Sequence, residues 1–140
     1  VIIVIDIMQT TKQHALVMWV LWFAQLQAAF IFQMFLGDGF SKAANAAEPM
    51  ALWLWLICCV PLVLATAIRW LIIPKIQLPQ QQLMAMIIGL ALAEGTVLLS
   101  IFLVAPDYPQ NQIGILMVAV VALIQFAPSY ATPGYKVEKT

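Results

Sequence analysis

The chain has 140 residues, 64% of them hydrophobic and 9% charged, with a formal net charge of zero and a mean hydropathy of +0.99. A soluble domain carries about 25% charged residues and cannot hide this much apolar surface. Lipid is therefore the expected solvent; there is no room for a separate water-soluble catalytic domain, and the neutral balance gives no reason to expect a nucleic-acid partner.

The opening "VIIVIDI" has neither a basic n-region nor a small-residue cleavage site, so it does not read as a signal peptide, and Met8 offers an alternative start, "MQTTKQHAL". Four stretches with almost no charge follow, at about 13–36, 50–73, 82–105 and 110–127. A hydrocarbon core of about 30 Å needs roughly 20 helical residues. Lipid cannot satisfy free backbone groups, so each stretch is expected to be a helix. The connections "GDGFSKAANAAEP", "PKIQLPQQ" and "PDYPQNQ" are short and rich in glycine, proline and polar residues. Residues 1–140 therefore read as one all-α integral membrane domain, an up-and-down bundle of four transmembrane helices.

Orientation is expected from the basic residues. With four spans, Lys12, Arg69, Lys75, Lys136 and Lys139 fall on one side and Lys42 on the other. That bias, and the lack of a signal, suit a bacterial inner (plasma) membrane with both termini cytoplasmic. Trp19, Trp22, Trp70, Tyr130 and Tyr135 then form an inner aromatic belt, and Trp53, Trp55 and Tyr108 an outer one. Arg69 is about 7 Å deep from the inner end of span two and is expected to snorkel to the headgroups.

Cys58 and Cys59 are adjacent, a spacing that rarely bridges, so they are read as buried apolar fillers. Pro61 removes a hydrogen bond to the carbonyl of Ile57 and is expected to kink span two, freeing an acceptor near the cysteines. His14 is the only histidine; a haem held between helices usually needs two axial ligands, and no metal-ligand spacing is present. No cofactor or metal is expected. No nucleophile motif or phosphate loop is present, so the chain is not expected to be an enzyme.

The residue that stands out is Glu94, twelve residues into span three. A charge near the bilayer centre costs about 2.5–3.5 kcal/mol on insertion scales, which makes an intramembrane carboxylate a functional candidate for proton or cation binding. Gln25 and Gln27 lie at a matching depth, some 18–22 Å from the inner end of span one. Either amide could donate to the carboxylate or accept from its protonated form, and Gln25–Glu94 is the preferred contact. Ala85, Gly89, Ala93, Thr96 and Ser100 form a stripe of small residues on the same helix, suited to close helix packing in lipid. Sequence leaves open whether that stripe packs inside the bundle or against another subunit.

Residues 87–104, "IIGLALAEGTVLLSIFLV", resemble the carboxylate-bearing helix of the proteolipid c subunits of rotary ATP synthases. The resemblance maps Gly89, Ala91, Ala93 and the acid Glu94, and implies an ion-carrying carboxyl. Two functional expectations follow. The first is a non-enzymatic subunit of a larger or oligomeric membrane complex. In it, membrane lipids and other subunits, or further copies meeting through helix 82–105, are the partners. The alternative is a proton- or cation-coupled translocator using Glu94.

Overall fold

A computed structural model of the chain describes residues 1–40 and 49–131, with residues 7–11 described by backbone alone. Lys42, Glu48, Tyr135, Lys136 and Lys139 lie outside the described residues, and with them much of the basic asymmetry.

Among the described residues the regular structure is entirely helical. Helix α1 spans Ile2–Phe35, α2 Leu52–Ala67, α3 Pro79–Leu99 and α4 Pro109–Ile124. Among the described residues, four segments are long and apolar enough to cross a membrane: Lys12–Phe35, Leu52–Lys75, Pro79–Val104 and Pro109–Ala131. The opening "VIIVIDI" belongs to α1, which runs unbroken for 34 residues. Prolines at the first position start α3 and α4, where a missing N–H is harmless and φ is already helical. The end of α1 is a tight turn in which Asp38 and Gly39 take positive φ, 56° and 76°. Glycine adopts that region without a steric penalty, and a short polar side chain such as aspartate tolerates it.

Two helices end in π turns, Ile68–Ile72 after α2 and Ser100–Val104 after α3. In each, the following N–H bonds five residues back, Ile73 to the Ile68 carbonyl and Ala105 to the Ser100 carbonyl. Both turns end two residues before a proline, Pro74 and Pro106. A proline ring collides with the carbonyl four residues earlier. Here those carbonyls belong to Trp70 and Phe102, inside the widened turns, and this gives the π turns a local cause. Pro61 does not interrupt α2, which runs on through it.

Helix α3 packs against all three others. Its Met86, Leu90, Ala93 and Val97 join Met18, Leu116, Leu123 and Phe126 in the main core. A β-carbon on Gly89 would overlap the Phe126 ring, so α3 and α4 approach closely only because Gly89 has none. Side-chain ties fix the chain directions. His14 Nε2 meets the Pro79 carbonyl at 2.8 Å, joining the start of the Lys12–Phe35 segment to the start of α3, and Arg69 joins the finishes of α2 and α4. Gln33, near the finish of α1, meets Gln112 at the start of α4. The outer faces carry exposed large apolar side chains such as Phe23, Val63, Phe102 and Val121, as a lipid-facing surface requires.

Candidate functional site

Glu94 and Gln25 are both partly buried and meet between α3 and α1. With its nitrogen turned to the acid, the Gln25 amide donates to Glu94 Oε1 at 2.6 Å and also reaches Oε2. A half-turn of the amide presents its carbonyl oxygen instead, which accepts the O–H of a protonated carboxyl. One side chain thus matches either protonation state of the acid. Gly95, beside Glu94, has no atom within 4 Å of where a β-carbon would stand, so the flank next to the carboxyl is open.

Gln27 is not brought to Glu94. It is two residues, about 200°, further round α1. It is exposed, lining a hollow of α1 with Phe30, Ile31, Met34 and Phe35, and its amide makes no hydrogen bond with any described residue. Gln27 faces another side of α1.

Ala85, Gly89, Ala93, Thr96 and Ser100 are all buried inside the chain's own bundle. Thr96 Oγ1 donates to the Cys58 carbonyl of α2 at 3.1 Å, one residue beyond the acceptor expected from Pro61. Gly89 backs onto Phe126, in the turn just beyond α4, and Ser100 Oγ accepts from Gln112 Nε2 at 3.4 Å. The stripe is thus occupied from within; the uncovered side of α3 carries Met84, Ile87, Ile88 and Ala91.

No family model, curated protein or solved structure matches the chain. The chemistry is therefore argued from the side chains themselves.

Two polar clusters escape a reading of the sequence. In the first, Gln33 and Gln112 are fully buried. Gln112 Nε2 donates to Gln33 Oε1 at 2.7 Å, and Gln33 Nε2 donates to the Gly39 carbonyl at 2.7 Å. The available signal was spacing: 15, 18, 22, 26, 29 and 33 recur at three and four residues along one side of α1, and the buried Ala15, Met18 and Ala29 share that series with Gln33.

The second cluster surrounds Arg69, whose side chain is tied into the bundle. Only 7% of it is exposed. Its Nε donates to the Gln125 carbonyl at 2.7 Å, and its guanidinium lies 4.3 Å from the Trp70 ring and 4.8 Å from the Tyr130 ring. The cause is the end of α4. Pro128 stops the helix, Ser129 N–H bonds Ala127 rather than Gln125, and the orphaned Gln125 carbonyl accepts a cation at the negative end of the helix dipole. Trp22 Nε1 similarly donates to the Leu123 carbonyl at 2.8 Å. Trp22 and Tyr130 are therefore tied within the bundle, whereas Trp19, Trp53 and Trp55 are exposed.

Proposed function

We propose that this chain is a small polytopic protein of a bacterial inner (plasma) membrane, a non-enzymatic subunit of a larger or oligomeric membrane complex. In this reading the alternating chain direction is that of an up-and-down transmembrane bundle with both termini cytoplasmic. The observation that carries it is a set of uncovered polar side chains on α1 and α3. Glu94 and Gln25 are only partly covered, and the Gln27 amide is exposed with no partner among the described residues. In hydrocarbon an unpaired amide costs several kcal/mol, about 4–8 on water-to-cyclohexane scales. A neighbouring membrane helix removes that cost. With the stripe on α3 already filled, the partner meets the Gln27 side of α1.

The test is extraction in mild detergent followed by native mass spectrometry, with crosslinking in intact cells. A heteromer or homo-oligomer is expected, with crosslinks on the Gln27 side of α1. A lone bundle under both conditions would end this reading.

A second reading is a proton- or cation-coupled translocator in which Glu94 carries the ion. Gln25 favours it, because one amide can serve both protonation states of the acid. In proteoliposomes with an internal pH dye, E94Q should abolish proton-coupled flux while leaving assembly intact. Unchanged flux in E94Q excludes this second reading.

A further inference from the structure

Arg69 is held as a fork with its tines left over. Of its five N–H donors, Nε is used by the Gln125 carbonyl. The terminal nitrogens meet no acceptor among the described residues, yet no buried side-chain nitrogen is left unsatisfied. Those nitrogens therefore reach the surface. No carboxylate among the described residues pairs with this guanidinium. An uncompensated cation at the edge of hydrocarbon is unfavourable, so the site calls for an anion.

The walls are fixed by bonds of their own. Trp70 Nε1 donates to Gln125 Oε1 at 3.0 Å, Gln125 Nε2 donates to Thr66 Oγ1 at 3.1 Å, and Tyr130 OH donates to the Phe126 carbonyl at 3.3 Å. Such a fork, stacked between two rings, suits bidentate recognition of a phosphate. Next to it a groove of about 400 Å³ runs along α2 past Leu62, Val63, Thr66, Ala67, Trp70 and Leu71. It is almost wholly apolar, and the 62-to-71 stretch of helix is about 13 Å long. A phosphate at one end of an apolar trough is the shape of a lipid.

We propose that Arg69 binds the phosphate of an anionic phospholipid, with Trp70 and Tyr130 as walls and an acyl chain laid in the α2 groove. The Arg69–Gln125 tie then does two things at once. It caps α4 and aims the remaining donors at the headgroup layer, on the end of the bundle where Lys12 and Lys75 are exposed.

The test is native mass spectrometry of lipids retained by the full chain. The chain is extracted from nanodiscs of phosphatidylcholine mixed with phosphatidylglycerol. The wild type should keep phosphatidylglycerol over phosphatidylcholine by roughly tenfold, as expected for charge-assisted hydrogen bonds. R69Q should bring the ratio near unity, R69K should keep part of it, and K75Q should change it by less than about twofold, since an exposed cation contributes little. If R69Q does not fold, V63W decides: it fills the groove from an exposed position and should lower the retained lipid severalfold. Equal retention in R69Q, or in V63W, overturns the proposal. So does release of the lipid by inorganic phosphate alone, which would make the site one for a soluble anion.

Discussion

The Gln33 and Gln112 amides face each other in a fully buried pocket, joined at 2.7 Å, and clasp the finish of α1 to the start of α4. Gln33 Nε2 also bonds the Gly37 and Gly39 carbonyls, so the same amide pins the turn that ends α1. A buried polar network of this kind is stabilising only while every member is satisfied.

Truncating one partner should therefore be worse than replacing both. Q112L strands the Gln33 amide and should lower stability by about 1–3 kcal/mol. Q33L/Q112L should recover part of that loss. Thermal unfolding in one detergent, read by circular dichroism, checks the order; additive losses would show that the two amides are not coupled.

Gln25 and Glu94 should show coupling across α1 and α3. A double-mutant cycle with Q25L and E94L is expected to give about 0.6–1.7 kcal/mol, the range for hydrogen bonds between membrane helices. The measurement is unfolding in mixed micelles. The same cycle with Q27L in place of Q25L should give a coupling near zero, because Gln27 faces away from the acid.

Gly89 and Gly95 lie on one helix and should respond in opposite ways. A β-carbon at Gly89 overlaps the Phe126 ring, whereas at Gly95 it meets nothing within 4 Å. G89A should destabilise by about 1–3 kcal/mol through overpacking. G95A should leave stability unchanged or raise it by up to about 1 kcal/mol, from helix propensity. Midpoints of thermal unfolding for the two variants distinguish them directly.

Thr96 should tolerate serine and not valine. Its hydroxyl bonds the Cys58 carbonyl of α2 and, at 3.3 Å, the Leu92 carbonyl of its own helix. T96V keeps the volume and removes both bonds, a loss of about 0.6–1.7 kcal/mol. T96S should retain most of the wild-type stability. Equal melting of T96V and wild type would show that the contact with α2 carries no energy.

The helices were legible because hydrocarbon imposes one strong rule, long apolar runs in helical form. The choice of Gln25 was legible for a related reason, since rise per residue fixes position along the helix axis. Azimuth was not. In lipid both the inside and the outside of a helix are apolar, so periodicity says little about which side a Gln27 or an Ala85 occupies. Arg69 shows the same limit: its depth follows from counting. Its partner is a carbonyl orphaned by Pro128, fifty-six residues away, and no spacing along α2 could reveal that.

A π turn can be regarded as an α-helix that has absorbed one surplus residue. Removing a single residue from Ser100–Val104 should therefore let the ladder close up as ordinary α-helix instead of severing it. The wide turn has already taken up the roughly 100° that one extra residue would add, so the Pro106–Tyr108 corner should keep its heading and Glu94 its place. The chain thus carries two built-in points of slack, at 68–72 and 100–104, where the loss of one residue can be taken up without re-aiming the ends of the bundle.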